Sequence, residues 1–446
     1  MQGRPSAFKT KRGLFKTRFK GYCKPNMITF GRFSDSFKPK AKIDDWNTSE
    51  RLFLEKSYMA SYEAFFKYLS DDEVKNVTWK REGERIDFQL LQGSKIVHGS
   101  IADGEVICEA DVAVYDKLSV AFMRRLMEMN YSMYYSRYAM KDNRICIKFD
   151  SKIAAAPPRK LYYGWKELAT RADKQDDLLV DDFAMLKSTG NGGAEQLPDT
   201  EKEIKYNFYK SWLDKTISRI NELNEDAFSG GISYLLLNTA YKLDYLIAPE
   251  GTLMNELEKM SWEYFAKDNK PYVEKNRKMK EALQKLADKP KEAVLEDLYR
   301  VKSTFGIANP APHQAVVDLF ANNLQNVKWY IDNNYHDIAV VLYEYLATYC
   351  LFSYGLPKPD AKLFHLLLNI TNQDYFTALG AGESIYDAAG GKFSEQVIKN
   401  KIDEIIKEGN ELYPELKFNT ANLKFDSLVS FLRTYVAEIQ QLNYNQ

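Results

Sequence analysis

Histidine is the side chain best suited to acid–base and metal chemistry near neutral pH, and this chain of 446 residues has only four, His98, His313, His336 and His365. None has a second histidine three or four residues away, the spacing that brings two imidazoles of one helix onto a metal ion. His336 stands beside Asp337, and a carboxylate can orient an imidazole as a base. A helix start explains the pair better, because an acid there complements the helix dipole. We therefore predict no catalytic residue and no metal ligand among the histidines.

The four cysteines, Cys23, Cys108, Cys146 and Cys350, are far apart and form no CxxC pair. A disulfide-rich fold would contain cysteine at higher density, and a zinc site would show paired cysteines. Cys108 and Cys146 fall within alternating, strand-like segments, where cysteine usually serves as a small buried apolar residue. The pattern predicts reduced thiols in a cytoplasmic protein.

One cluster of carboxylates has the residue type that a hard cation prefers. It consists of Asp176, Asp177, Asp181 and Asp182, and two of these, Asp177 and Asp181, share a helix face because they are four residues apart. A di-metal site in a helix bundle would also need Glu-x-x-His partners, which the sequence lacks. The cluster is better explained as a solvated acidic face, so no metal site is predicted.

Two glycine-rich stretches differ from the loops that bind phosphate or present a catalytic nucleophile. GAGESIYDAAGGKF at 380–393 lacks the GxxxxGK[ST] arrangement, which aims backbone amides and a lysine at phosphate. SGGIS at 229–233 is not GxSxG, and no strand precedes it to build a nucleophile turn. Both are predicted to be helix connections, and no cofactor is predicted.

Charge is concentrated at the N-terminus. Residues 1–42 contain twelve Lys and Arg but one acid, Asp35, and seven aromatic residues lie among them. Basic groups would contact phosphates while the rings stack on bases, which suits a single-stranded nucleic acid, and an anionic membrane surface would also suit the composition. The plainer prediction is that residues 1–47 form a flexible basic segment.

The first 26 residues have eight basic side chains and no continuous apolar run, so they do not match a secretory signal. An Arg-rich transit peptide is one alternative. The favoured interpretation is that translation begins at Met27. The formal net charge of zero would then become moderately negative, which weakens the nucleic-acid interpretation.

The chain is 45% hydrophobic, which is typical of a folded globular protein, and its length predicts two or three domains. STGNGGAEQLPDTEK at 188–202 holds three glycines and a proline between two strongly periodic segments. Such a stretch is typical of a linker. It divides the chain into residues 48–187 and residues 203–446.

Residues 48–187 mix two hydrophobic periods. Apolar residues follow a helical spacing over 48–69, whereas in EVICEADVAV at 105–114 they alternate with polar ones, as in a half-buried antiparallel strand. QGSK at 92–95 and ADGE at 102–105 have the glycine that a hairpin turn requires. The predicted order is a helix at 48–69, a three-strand meander over 84–114, a helix at 118–129, strands at 131–139 and 144–150, and a helix that reaches residue 187.

This α-β-β-β-α-β-β-α layout resembles the YbjN family and the wider type III secretion chaperone-like fold over about residues 48–187. The segments that carry the resemblance are EVICEADVAVYDKLSVAFMRRLMEMN, the hairpin through KDNRICIKF, and LYYGWKELATRADKQDDLLVDDFAML. The resemblance implies an α+β binding module, because members of that fold bind protein segments and often dimerise. It implies no catalytic residue.

Residues 203–446 have helical spacing almost throughout, which predicts an all-α bundle or an irregular solenoid. Prolines fall between the predicted helices, as helix breakers should. The predicted helices are 204–223, 232–247, 252–266, 273–287, 292–305, 313–331, 337–352, 361–370, 393–413 and 426–442.

The most apolar stretch, residues 338–356, approaches the length of a membrane span. Glu344 lies near its centre, and a carboxylate there would be costly in lipid. We therefore predict a buried helix and no membrane span.

These patterns together predict a non-enzymatic, protein-binding or chaperone-like protein that captures a partner segment on a strand edge or in a helix-lined groove. Self-association is a further expectation. Tyrosine-rich stretches at 162–165 and 329–335 are candidate interaction surfaces, because tyrosine is enriched at interfaces. The alternatives are an enzyme with an unrecognised site between the two domains and nucleic-acid binding through the basic N-terminus.

Overall fold

An antiparallel sheet with helices on one face, followed by a mostly helical part, makes up the computed structural model, which describes residues 28–117, 119–190 and 192–445. The predicted fold class is confirmed. The predicted start at Met27, the basic residues of 1–26 and Cys23 lie outside the described residues.

Residues 40–188 form a unit that we call the sheet domain. Its strands are all antiparallel, in the order β1-β2-β3-β4-β6-β5, and a short β7 pairs with the end of β4. Its elements are α1 Lys40–Leu54, α2 Tyr58–Leu69, β1 Val77–Glu82, β2 Arg85–Gln92, β3 Lys95–Ala102, β4 Glu105–Tyr115, α3 Val120–Tyr131, β5 Arg137–Lys141, β6 Arg144–Lys152, α4 Pro158–Asp182 and β7 Leu186–Ser188.

Alternation along the strands separates the two faces of the sheet. Ile86, Phe88 and Leu90 of β2 are buried, while Asp87 and Gln89 between them are exposed. The buried face lies under α2 and the long α4, whose Trp165 stacks on Phe88 with ring centroids 4.5 Å apart. The opposite face is polar and open to solvent.

Two predicted hairpin turns are present as two-residue turns. Asp103 and Gly104 join β3 to β4, and Asp142 and Asn143 join β5 to β6, all four with positive φ. This backbone twist matches that of the flanking strands, and it fixes the register that sends the apolar residues inward.

Some predicted boundaries differ from the structure. The helix predicted at 48–69 is two helices, α1 and α2, separated by Glu55–Ser57, where Lys56 has φ +61°. α1 begins at Lys40, so the predicted boundary at residue 48 falls inside it. The meander has a fourth strand, β1, which the sequence reading missed because its sequence, VTWKRE, shows little apolar alternation.

Residues 199–439 form the helical domain. Its central helix is α11, which packs against α6, α10, α12 and α15. The helices are α5 Asp199–Asn221, α6 Ser229–Lys242, α7 Gly251–Phe265, α8 Tyr272–Ala287, α9 Lys291–Glu296, α10 His313–Asp332, α11 His336–Ser353, α12 Lys358–Thr371, α13 Gln373–Ala378, α14 Glu395–Gly409 and α15 Leu428–Ile439.

The stretch with membrane-like composition is α11. Among the described residues, the structure has no helix that is both long and apolar enough to cross a bilayer. Glu344 is buried in the domain, where its carboxylate accepts hydrogen bonds from the side chains of Asn238 (2.9 Å) and Asn372 (2.8 Å). Lys242 lies 3.3 Å away, so the charge is compensated and the pKa of Glu344 falls below its ordinary value although burial opposes this.

The helix predicted at 292–305 is wrong beyond Glu296. Asp297 leaves the helix and its carboxylate accepts hydrogen bonds from the amide of Leu253 (2.9 Å) and the hydroxyl of Thr252 (2.7 Å) at the start of α7. The chain then crosses to the sheet domain, where Phe305 is fully buried in the core of that domain. Tertiary contacts therefore override a helical pattern here.

The predicted linker at 188–202 has structure at both ends. Ser188 closes β7, Glu195–Gln196 pair with Tyr299–Arg300, and α5 begins at Asp199. The amide of Gly193 donates to Ser94 O at 3.0 Å. The connection is thus held to both domains.

Candidate functional site

Three of the four histidines have simple surroundings. His98 is exposed on β3, and His336 is exposed at the start of α11, where the neighbouring Asp337 accepts a hydrogen bond from Arg219 at 2.8 Å. His365 is half-buried among aromatic rings, and its partial removal from water lowers its pKa to about 4, which keeps the imidazole neutral at pH 7. The placement of His336 and Asp337 at a helix start is as predicted.

His313 is the best-organised histidine, and sequence spacing did not reveal its partners. Its Nδ1 lies 3.0 Å from both carboxylate oxygens of Asp360, to which the Tyr444 hydroxyl donates at 2.8 Å. Such a carboxylate can orient a catalytic base. Nε2 of His313, however, is buried and has no hydrogen-bond partner within the described part of the chain. Since this nitrogen is bonded to no described hydroxyl or thiol, the geometry supports a structural role, in which the cluster connects α10, α12 and the C-terminal segment.

The described cysteines are Cys108, Cys146 and Cys350, all buried free thiols. Burial raises the pKa of each thiol. A thiol held in its neutral form is a poor nucleophile and a poor metal ligand. The predicted role of Cys108 and Cys146 as small buried residues of strands agrees with their positions in β4 and β6.

Among the described side chains of the acidic cluster of α4, Asp176 is buried and not, as predicted, solvated. It forms a 2.6 Å ion pair with Lys95, and the Ser94 hydroxyl donates to it at 2.9 Å. Asp181 and Asp182 are exposed, as predicted. Across residues 28–117, 119–190 and 192–445, no group of three or more His, Cys, Asp or Glu side chains could hold a metal ion.

Basic residues of the N-terminal segment that are described make internal contacts. The Arg32 guanidinium binds Asp244 and donates to Glu258 at 2.7 Å, and Lys174 of α4 pairs with the same Glu258 at 2.7 Å. Lys38 donates to Tyr68 O at 2.8 Å, and burial lowers its pKa to about 8. Glu258 thus links Arg32 and the α4 residue Lys174 to the helical domain, while Lys38 is held to the sheet domain. Residues 28–39 therefore offer less free charge to a nucleic acid than composition indicates.

The two tyrosine-rich stretches are mostly internal. Trp165 is fully buried, and the Tyr162 hydroxyl donates to Asp35. Tyr163 and Trp329 are exposed. Each stretch therefore offers little continuous apolar surface.

A different region concentrates exposed apolar side chains. Six of them lie within residues 120–140, and three lie within residues 262–272, a stretch about half as long, so residues 120–140 have the larger group at a similar density. The side chains of Tyr131 and Tyr134 are 95% and 91% exposed. We name this surface the α3–β5 face, after its residues Val120, Met127, Tyr131, Tyr134, Tyr135 and Met140.

The helix α3 is apolar on two sides. Phe122 and Leu126 are its buried residues, and Phe122 packs edge-on against Phe183 with ring centroids 4.9 Å apart. Val120, Met127 and Tyr131 follow the helical repeat on another stripe, which solvent reaches. The stripe of Val120, Met127 and Tyr131 is visible in the sequence as a second apolar pattern along the helix. The sequence pattern alone, however, does not indicate which of the two stripes faces the core.

Glu167 of α4 fixes the loop that carries the tyrosines. Its carboxylate accepts hydrogen bonds from the amides of Tyr134 (2.7 Å), Tyr135 (2.8 Å) and Ser136 (2.9 Å), and from the Ser136 hydroxyl (2.8 Å). Burial opposes the charge, but these bonds bring the pKa of Glu167 below its ordinary value. They also explain why the strand predicted at 131–139 begins only at Arg137.

Asn130, at the end of α3, covers part of the free edge of β5. Its side chain accepts from the amide of Tyr138 at 2.6 Å and donates to the carbonyl of Tyr138 at 3.3 Å. β5 is the last strand of the sheet, so these backbone groups would otherwise be open to another strand. The α3–β5 face therefore presents side chains more than backbone.

Comparison with known protein families and with curated proteins finds no match for this chain. The case for the α3–β5 face as a candidate site therefore rests on its geometry alone.

Proposed function

We propose that this is a protein-binding protein whose sheet domain captures a partner on the α3–β5 face. The observation that supports this most is the concentration of exposed apolar side chains over residues 120–140. Large contiguous apolar surfaces are rare on proteins that act alone, and they commonly mark protein contacts. Tyrosine and methionine are also the side chains enriched at interfaces.

The mechanism rests on a surface that is rigid before the partner arrives. Glu167 holds the backbone that presents Tyr134 and Tyr135, and Phe122 anchors α3 to the domain. A partner then loses little free energy in ordering the surface, which favours binding. Tyr131 and Tyr134 are the expected centre of the contact.

The test is affinity capture from native lysate with the full chain, followed by quantification of each captured protein. The double variant Tyr131→Ser/Tyr134→Ser removes two exposed rings. We expect it to lose specific partners by roughly tenfold or more, because central aromatic residues carry much of an interface's binding free energy.

The matched control is Tyr272→Ser/Trp329→Ser, which removes two exposed rings from the helical domain. It should keep the partners that the first variant loses. Circular dichroism should show that both variants are folded. Thermal melting should be lowered more by the control, because Trp329 is 49% exposed and stacks on Tyr335. If both double variants capture the same proteins in the same amounts as the wild type, the proposal is wrong.

A further inference from the structure

We propose, resting on the function above, that the partner presents an acidic amphipathic helix, which packs its apolar stripe along α3. Three features of the α3–β5 face lead to this: its shape, the occupied backbone groups of Tyr134–Ser136 and Tyr138, and its charge.

The exposed stripe of α3 has the dimensions of a helix-binding surface. Val120, Arg124, Met127 and Tyr131 are spaced by four, three and four residues, so they form one ridge along the helix. At 1.5 Å per residue this ridge extends roughly 16 Å, about three turns of a partner helix. Ridges of this kind pack into the grooves of another helix.

Strand addition, the other mode expected for a sheet edge, is blocked at the centre of β5. Asn130 occupies both backbone groups of Tyr138. The amides of Tyr134, Tyr135 and Ser136 are already bound to Glu167. Because strand addition gains affinity from main-chain hydrogen bonds, a surface with these groups occupied favours a partner that needs none, such as a helix.

The charge of the face is positive. Glu128 is paired with Arg125 at 3.6 Å, and the Glu167 carboxylate is taken up by the loop amides. Arg124 lies within the apolar stripe, and Arg171 lies one turn after Glu167 on α4. Both are exposed, and neither has an ion-pair partner within the described residues. Complementary charge on the partner is therefore acidic.

The same charges disfavour a second copy of this chain as the occupant. In a two-fold symmetric contact the same patch meets itself, so the Arg124 and Arg171 side chains of both copies would be brought together. Like charges at an interface are costly.

The experiment uses the full chain and three synthetic peptides that share one set of leucine and phenylalanine positions at helical spacing. The first has glutamate at its polar positions, the second has lysine there, and the third is the first with two prolines that prevent a helix. Binding is measured by fluorescence anisotropy. We expect the acidic helical peptide to bind roughly tenfold or more tightly than the other two, and its affinity to fall as salt is raised.

Charge reversal tests whether the acidic peptide binds beside Arg124 and Arg171. Arg124→Glu/Arg171→Glu should weaken binding of the acidic peptide by roughly tenfold. The control Lys215→Glu/Lys285→Glu changes the net charge equally, at exposed lysines of α5 and α8, and should leave binding unchanged.

Equal binding of the acidic and basic peptides, binding of the proline peptide as tight as that of the helical one, or no binding of any peptide would overturn the acidic-helix inference. The capture experiment with Tyr131→Ser/Tyr134→Ser stands apart from these outcomes. If that variant still loses its partners while the peptides fail, the face binds protein of another chemistry. If it keeps them, the proposed function itself fails.

Discussion

The two free edges of the sheet both carry ion-paired charges, and they differ in the exposed apolar side chains that lie beside them. Along β1, Lys80 pairs with Glu82 at 2.5 Å and Arg81 pairs with Glu63 at 2.7 Å, and Trp79 lies half-buried against Phe66. On β5, Arg137 pairs with Asp150 and Lys141 pairs with Glu109 at 3.4 Å, but the neighbouring helix and loop add the exposed apolar side chains of the α3–β5 face. Charged side chains on an edge strand discourage contact with other chains.

The contrast teaches that exposure near β5 is not a general feature of this sheet. Both edges carry compensated charges, whereas the β5 side adds the exposed rings of Tyr131, Tyr134 and Tyr135 and the methionines Met127 of α3 and Met140 of β5. The β1 edge therefore serves as a control for the β5 side within the same domain. Substitutions at the two edges should differ in their effect on stability and on partner binding.

Removal of the Glu167 side chain should have the largest effect on stability. Glu167→Ala leaves the amides of Tyr134, Tyr135 and Ser136 without their acceptor, and hydrogen bonds to a charged group are the stronger kind. We expect the free energy of unfolding to fall by about 2 kcal/mol, measured by urea denaturation. Partner binding should also fall, because the loop that carries Tyr134 and Tyr135 is no longer held to α4. An unchanged midpoint would show that the loop is held by other contacts.

The same carboxylate should make stability depend on pH. Its pKa is lower in the folded protein than its ordinary value of 4.5, so its contribution is present above that value and is lost as the pH falls through the folded pKa. The difference in unfolding free energy between the wild type and Glu167→Gln should therefore shrink as the pH falls below the ordinary pKa of 4.5. Denaturation curves at a series of pH values measure this. A difference that grows toward acid pH would contradict the assignment.

Asn130→Ala should have an intermediate effect. The two hydrogen bonds to Tyr138 are lost, at about 1 kcal/mol in unfolding free energy. The uncovered backbone of β5 should also increase self-association relative to the wild type at equal concentration, measured by sedimentation velocity. Asn130→Asp, which keeps the acceptor for the Tyr138 amide, serves as the control. No increase with Asn130→Ala would mean that other groups cover this edge.

The smallest effect is expected on the β1 side. Glu63→Ala removes a partly exposed ion pair with Arg81, and such pairs contribute roughly 0.5 kcal/mol or less. Partner capture should stay at the wild-type level. A loss of partners comparable to that of the tyrosine variant would remove the distinction between the two edges.

Much of the sheet domain could be predicted from sequence because alternation is a strong local signal. Ile86, Phe88 and Leu90 mark β2 unambiguously, and the glycine turns fix the hairpins. β1 was not predicted because the residues of one of its faces, Val77, Trp79 and Arg81, include a charged side chain, so the strand lacks the regular apolar alternation. The helical stripes of residues 203–446 were equally informative, except where Asp297 and Phe305 find their partners at long range.

The candidate site was less accessible to sequence reasoning. Val120, Met127 and Tyr131 look like core residues, and only the packing of Phe122 on Phe183 shows which stripe is buried. The hydrogen bonds of Glu167 join positions about thirty residues apart, a separation at which no local pattern applies. The buried ion pair of Asp176 with Lys95 could not be predicted from sequence either, because an acidic residue beside other acidic residues ordinarily faces water.

Phe305 has a consequence for the order in which this protein is made. The sheet domain leaves the ribosome with its β7 complete at Ser188, yet a ring of its core arrives only about 120 residues later. At roughly 5–20 residues per second, the wait is on the order of 10 s. During that interval the position beside Tyr162 lacks the Phe305 ring, which in the complete protein packs there with ring centroids 5.6 Å apart. Synthesis of the second half is therefore the step that completes the first.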